Sequence, residues 1–548
     1  MLERLFLAAL PLLGAYLFLR LRYFRLKQYA HIPQLKPSLV WGHMKAVHEY
    51  ALRLQADSHI DPAFAAMSDD LGNPPLFLVD LRPVNHAMAI VTSHEVAEQF
   101  SRASKLFPWS VPKSPTINSF VHLVGRNSIL TREGEDWKQL RKRFNPGFAP
   151  QHLMTLLPCI LDKTWLFLEH LDSYARTGDA FLLDVLTTNL TFDIIGAVVM
   201  DTDFDAQHQH RARQGEFIQL FGELVSSYGN DSVNLPWWAS PRREFRRYRI
   251  ASRLDRLLAS IIRQKHAAQQ SPSAPKSRSI LSLALRDTTD LTDQMVKDTG
   301  DQIKTFLFAG HDTTAIVLAW AIYELSRTPR ALSAVRAELD EVFGSDPDPA
   351  SIRDQLLSPD GDDKIRRLSY TSAVIKETLR LYPPAASARM SPAGSGFTVR
   401  TPQGETICVD GLVIYNCSSL IQRDRAVYGE SADDFVPERW LGDTNTSEES
   451  ETQEAHAAAD EKGGHAKIPP SAWRPFERGP RNCIGQELAN IEARVILATV
   501  ARRYDFVKVG VGENALDERG LPVVDEKGQY KVTSELYNVS GNGIVFEL

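Results

Sequence analysis

Cysteine is scarce in this chain, with four among 548 residues, at positions 159, 408, 417 and 483. No two form a Cys-x-x-Cys pair, so neither a zinc knuckle nor a disulfide framework is indicated. The bulk of the chain suits a reducing compartment. A basic surplus is missing too: the formal net charge is -6 and no long basic stripe occurs, which argues against a nucleic-acid partner. The first apolar run falls short of a full bilayer thickness. The remaining composition, 43% hydrophobic and 24% charged, is that of a protein able to bury a sizeable core. The length exceeds a usual single domain, yet large single-core enzymes reach it.

That first run, Leu5 to Leu19, is uncharged and carries Pro11; Arg20, Arg22, Arg25 and Lys27 follow, with Tyr23, Phe24 and Tyr29 among them. Snorkelling arginines and interfacial aromatics extend such a run to about 20 residues. A cleaved signal peptide wants a positive start and a small-residue cleavage site, and neither is clear. Residues 1–28 therefore read as an uncleaved single-pass membrane anchor and basic flank, which keeps residues 29–548 on the cytoplasmic side.

Beyond a stiff connector at His31–Pro37, two segments around Arg82-Pro83, Leu76 to Leu81 and Met88 to Thr92, read as a strand pair. Thr406–Val409 and Leu412–Tyr415 read as a hairpin about Asp410-Gly411. Further strands are expected near Phe506–Val509 and Gly543–Leu548. Helical patterns fill most of the rest, so the expected fold is mainly α, one large helical domain with small β-sheets. Surface loops are expected at Gln269–Ser279, Gly344–Asp363 and 443–470, the last an acidic, mobile insertion.

Four stretches carry chemistry. Phe476-Glu-Arg-Gly-Pro-Arg481-Asn-Cys483-Ile-Gly485 sets one cysteine in a glycine-rich turn, with an aliphatic helix from Gln486 behind it. Gly479 can take a backbone angle closed to other residues, and Gly485 lets a flat group approach the main chain. A helix N-terminus favours a thiolate. Asp293 to Leu325 is a long helix interrupted by Ala309-Gly-His-Asp312-Thr313-Thr314. Thr313 can bond back to the Ala309 carbonyl and bend or open the helix. Trp137 and Arg141 lie one helical turn apart, as do Glu377 and Arg380, and Arg439-Trp440 follows in Phe435-x-Pro-Glu-Arg-Trp.

Together these phrases resemble the cytochrome P450 family, in order and over essentially the whole chain after the anchor. The resemblance implies that Cys483 is the axial thiolate ligand of haem b, in a loop to which Phe476, Arg481 and Gly485 belong. It implies that Trp137 and Arg141 hold a haem propionate, with Arg389 as a further propionate contact. Asp312 and Thr313 would then handle dioxygen and its protons, and Glu377, Arg380 and Arg439 would form a structural triad. His311 receives no role. Small Ala385, Ala386 and Ser387 leave room over the haem. The implied activity is a membrane-bound monooxygenase of the endoplasmic reticulum, acting on O2 and a lipophilic small molecule. Electrons would come from NADPH through NADPH–cytochrome P450 reductase, with cytochrome b5 as a further donor, onto a face including Arg141, Lys142, Arg143, Arg474 and Arg478. Phe192-Asp-Ile-Ile-Gly196 looks most like fungal secondary-metabolism members, with a looser likeness to enzymes of sterigmatocystin-type polyketide pathways. A reductase-independent haem-thiolate isomerase or dehydratase is the second reading, disfavoured by the intact Asp312-Thr313. A non-enzymatic haem-binding protein is the third.

Overall fold

A 35-residue helix, Asp293–Arg327, is buried along most of its length in the computed structural model. Thr292 caps it by accepting a hydrogen bond from the Met295 N–H at 3.2 Å, which satisfies one of the free donors of a helix start. This central helix packs along Leu183–Met200 and against Gln486–Val500, the helix behind Cys483. Both Leu183–Met200 and the central helix are long and apolar enough to cross a bilayer. Each has 67% of its most apolar window buried inside the protein, so both are core helices. The structure describes residues 2–54, 59–208, 213–229, 240–271, 277–443, 468–534 and 545–548, with the backbone alone for 2–10 and 443.

Nine strands occur among the described residues: β1 Leu76–Asp80, β2 Ala87–Val91, β3 Phe181–Leu182, β4 Ser387–Met390, β5 Thr398–Arg400, β6 Thr406–Cys408, β7 Val413–Asn416, β8 Val507–Lys508 and β9 Val545–Glu547. They make three small sheets, ordered β1-β2-β7-β4, β3-β9-β8 and β5-β6. The expected pair around Arg82-Pro83 forms, with Leu76 opposite Val91. The mainly helical fold is as expected.

Two expectations need correction. Strands do lie on either side of Asp410-Gly411, but they do not pair with each other. β6 pairs with β5, while β7 runs parallel to β2 and antiparallel to β4. The Asp410 carboxylate explains the detour, because it accepts from the Gly396 and Phe397 N–H groups and the Ser395 hydroxyl. That pins the turn to the chain before β5 and carries it from one sheet to the next. The expected loop Gly344–Asp363 holds helix Pro349–Leu356 and the start of Gly361–Arg367, whose Ile352, Leu356 and Ile365 enter the main core. Of the other expected loops, helix Pro241–Gln270 runs into the first, and most of the 443–470 insertion lies outside the described residues.

The N-terminal helix, Leu2–Leu26, exposes Leu12, Leu13, Leu17, Phe18 and Leu19. Its end is fastened to the sheet. Arg25 is not a free flanking charge: it is buried, pairs with Asp80 at 2.6 Å, and donates to the Leu39 and Val40 carbonyls. Arg82 pairs with the same carboxylate at 2.9 Å and reaches Gln28 and the Phe24 carbonyl. Burial works to raise the Asp80 carboxyl, but Arg82 and Arg25 outweigh it and hold the group below its ordinary value. Removing one member of a buried pair strands its partner and costs about 3–5 kcal/mol. Arg25→Ala should cost at the lower end, because Arg82 remains, and should speed tryptic cleavage after Lys27. Equal digestion rates for variant and wild type would show that this clasp does not hold the helix.

Candidate active site

The Cys483 loop is shaped by its own backbone. The Cys483 N–H donates to the Phe476 carbonyl at 2.8 Å, and the Asn482 N–H to that of Gly479 at 3.1 Å. Gly479 has φ +74°, and a Cβ there would lie 2.3 Å from the Ser101 carbonyl oxygen, so only glycine fits. A Cβ at Gly485 would meet nothing nearer than the Cys483 Sγ and Phe148, both at 3.9 Å. No protein clash demands that glycine, and the open approach suits a flat group. Phe476 is partly buried and packs edge-on against Trp473. Cys483 itself is exposed yet ringed by protein, as a group facing an internal space would be. Burial pushes its thiol above the ordinary range, opposed by the Gly485 N–H and the Arg141 charge. The helix end alone therefore does not secure a thiolate.

Cations surround this loop. Arg141, on helix Gly134–Phe144, donates to the Asn482 carbonyl at 2.7 Å and to its side chain at 2.9 Å. Trp137, one turn earlier, is buried under the Arg481 guanidinium, 5.0 Å from the ring centroid. Arg481 also meets Glu133 and donates to the Ile129 and Arg132 carbonyls, so it ties the loop to the start of that helix. Burial lowers its pKa to about 10. Arg389, on β4, is fully buried; its Nη1 donates to the Ser110 hydroxyl at 3.1 Å, while Nε and Nη2 have no hydrogen-bond acceptor. A buried cation with an open donor edge is costly unless an anion meets it. Lys113, bridged to Arg389 through the backbone, joins the cluster, and burial takes its pKa down to about 7. The donor set thus fits a buried group bearing carboxylates beside the cysteine.

Sequence reasoning passed over Lys113, Glu133 and Asn482. Only the β4 bridge and the fold of the loop bring them in, and no local pattern marks them. It also misplaced Arg474, which is 1% exposed and paired with Glu98 and Glu477. Burial within that network removes it from any docking face. Arg143 is half-buried against the Ala284 carbonyl, whereas Lys138 and Lys142 remain exposed.

On the central helix the Thr313 hydroxyl donates to the Ala309 carbonyl at 2.7 Å, as expected. Ala309 and Asp312 are exposed on a helix otherwise buried on both sides of them. A Cβ at Gly310 would sit 2.7 Å from Ile195, so that glycine permits close approach of helix Leu183–Met200. Thr191 on the same helix donates 2.6 Å to the His311 carbonyl. His311 packs edge-on against Phe192 and Phe221, and burial lowers its pKa. It is a packing residue. No hydrogen bond or ion pair joins Asp312 or Thr313 directly to the Cys483 cluster among the described residues; their helix meets the helix behind the cysteine.

Glu377, Arg380 and Arg439 do come together. Arg380 binds Glu377 through Nε at 2.9 Å and Nη2 at 2.8 Å, and Arg439 reaches it at 3.0 Å. The Trp440 indole and the Val436 N–H complete the carboxylate's partners. Arg380 is fully buried and gives its remaining donors to the Gln422, Ala432 and Asp434 carbonyls. Such complete pairing is the condition under which a buried ion pair holds.

A mainly helical fold with this cysteine loop and its buried cations places the protein in the haem-thiolate class. The cytochrome P450 family description matches residues 69–532, and the chain belongs to that family. It is 34% identical over 446 residues to the cytochrome P450 monooxygenase acrF of Aspergillus aculeatus, across 79% of this chain and 84% of that protein. It is 30% identical over 499 residues to the cytochrome P450 monooxygenase polC of Polytolypa hystricis, across 87% and 80% respectively. A crystal structure of a cytochrome P450 superposes with a TM-score of 0.66 at 20% identity, covering 90% of this chain and 99% of that one. The protein is a cytochrome P450 monooxygenase, similar to these fungal members.

Behind the loop, Glu492 is 2% exposed, and its Oε1 has no partner. Burial pushes its carboxyl well above the ordinary 4.5. A raised acid contributes stability below its unfolded value that is lost as pH rises through the folded one. The loss runs at about 1.4 kcal/mol per pH unit in between. Glu492→Gln has no charge to bury, so its melting temperature should gain on wild type as pH rises from 5 to 8. A constant difference across that range would contradict this.

Proposed function

We propose that this chain is a reductase-dependent haem-thiolate monooxygenase of a lipophilic small molecule in a polyketide-like secondary metabolism. Cys483 would bind the iron, and Trp137, Arg141 and Arg389 would face the acid groups of the haem. When bound, haem supplies the activation of dioxygen and draws electron density from the sulfur. Burial disfavours ionisation of the Cys483 thiol on its own, and as a ligand it would serve in its thiolate form. The observation that carries this reading is Arg389, fully buried beside the cysteine loop with Nε and Nη2 lacking an acceptor.

The chain's own residues would govern protons and water. Thr313 gives its hydroxyl hydrogen to Ala309, which leaves its oxygen able to accept from an ordered water. Asp312, exposed at the same notch, would pass protons in from solvent. The apolar wall on either side would exclude other water. Exposed Lys138 and Lys142 suit an acidic partner, NADPH–cytochrome P450 reductase or cytochrome b5.

Residues 1–28 would anchor the protein in the endoplasmic reticulum membrane, with 29–548 in the cytoplasm as the catalytic domain. The exposed aliphatic surface of the N-terminal helix supports this. Phe245 and Tyr248 are also exposed on the arginine-rich helix Pro241–Gln270 and would meet the headgroups. Trp237-Trp238, a few positions earlier in the sequence and expected to take part in the same second membrane contact, falls outside the described residues.

Thr313→Ala should retain haem and bind substrate as wild type does, because one hydroxyl is lost. NADPH consumption should continue, with product per NADPH down about 10-fold or more and hydrogen peroxide up correspondingly. Asp312→Asn should show a larger solvent deuterium isotope effect. Full coupling in Thr313→Ala, with product formed in the absence of reductase, would favour the isomerase or dehydratase reading instead.

A further inference from the structure

A glutamate occupies a glycine-like backbone position in the cysteine loop. Glu477 has φ +57°, in the left-handed region that disfavours any residue with a Cβ. The use of its side chain is visible in what the carboxylate touches. Oε1 accepts from Arg474 Nη2 at 2.8 Å and from the Ser101 hydroxyl at 3.1 Å. Oε2 accepts from the Ser387 hydroxyl and lies 3.7 Å from Arg389 Nη2. Arg474 has a second carboxylate in Glu98, at 2.8 Å. Among the described residues, Glu477 is the one carboxylate paired with Arg389.

The geometry at Arg389 is selective. Nη1 is taken by the Ser110 hydroxyl and, at 3.4 Å, the Val111 carbonyl. Nε and Nη2 form the edge that takes a carboxylate with two parallel hydrogen bonds, and neither has an acceptor. At 3.7 Å Glu477 is too far to fill that edge with a hydrogen bond, but near enough to hold the guanidinium by charge. Ser387 and Arg389 lie two apart on β4, so the same carboxylate fixes the strand that carries the arginine.

We propose that Glu477 is the positioning residue for Arg389: it anchors the arginine's strand and balances its charge while leaving the Nε–Nη2 edge free for a carboxylate of bound haem. Its fixed negative charge in the cysteine loop would also disfavour reduction of a bound iron. The inference rests on the haem reading above. The wild-type holoenzyme tests that reading first, because absence of a thiolate-haem spectrum there would remove it before any Glu477 variant is made.

The test uses full-length holoenzyme and three variants. Glu477→Gln keeps the shape and removes the charge. Glu477→Gly relieves the backbone and removes the carboxylate, and Glu477→Asp retains a shorter acid. Two quantities are read: the rate of haem transfer to excess apomyoglobin, and the midpoint potential of the iron by dye titration. Glu477→Gln and Glu477→Gly should both lose haem about 10-fold faster, the scale on which partners that orient ligand-binding groups act. Both should also show a more positive potential, with Glu477→Asp intermediate in each. Haem transfer and potential both unchanged in Glu477→Gln, even with a lowered melting temperature, would reduce Glu477 to a structural residue and overturn the proposal. Glu477→Gln is nearly isosteric, so the test stands if the glycine variant fails to fold.

Discussion

Burying guanidinium groups in the core is the constraint on which the rest of this structure depends. Arg380, Arg389 and Arg474 head the fully buried large side chains, and each would cost several kcal/mol if left unpaired. Two are met by hydrogen-bonded carboxylates of the chain, although the Arg474 Nε has no acceptor. Arg380 has Glu377 and three carbonyls, and Arg474 has Glu98, Glu477 and Ser101. The Arg380 bonds join the helix Ser369–Leu381 to the 422–434 segment, and those of Arg474 join the segment before the cysteine loop to the helix His94–Ser101, with Glu98 376 residues away in the chain. Arg389 differs from both: its one carboxylate, Glu477, stands 3.7 Å away, and its Nε–Nη2 edge is left without an acceptor, the edge proposed above to meet a bound carboxylate.

The interrupted stretch of the central helix obeys a steric rule. Gly310 lets Ile195 press against the central helix, and Thr191 bonds a carbonyl of the same turn. With Thr313 bonded to Ala309, side-chain hydroxyls reach two carbonyls around the polar notch. The notch is thus held from inside the helix and from its neighbour. An enzyme that must admit protons at one point and exclude water elsewhere needs such a fixed interruption.

What could be read beforehand was local. Trp137 and Arg141 share a helix turn, Thr313 reaches back four residues, and Cys483 lies between glycines before a helix, so each announces itself within a few positions. The partners that complete them do not. Glu133 meets Arg481 across 348 residues of sequence, and Asp80 meets Arg25 across 55. Lys113 enters the cluster only because its backbone bridges β4. At Asp410-Gly411 the turn was legible and its pairing was not, because one carboxylate binding the 395–397 segment overrides the hairpin preference. The buried helix Pro349–Leu356 escaped for a similar reason. Its sequence is polar, and only the core it meets makes Ile352 and Leu356 informative.

The central claim is that Cys483 gives its sulfur to haem iron, and one spectrum tests it most directly. Cys483→Ser and wild type, loaded with haem, would be reduced and exposed to carbon monoxide. The account predicts the strongly red-shifted thiolate band in wild type and its loss in the variant, because the other three cysteines lie outside this loop. A serine variant that kept the band would contradict it.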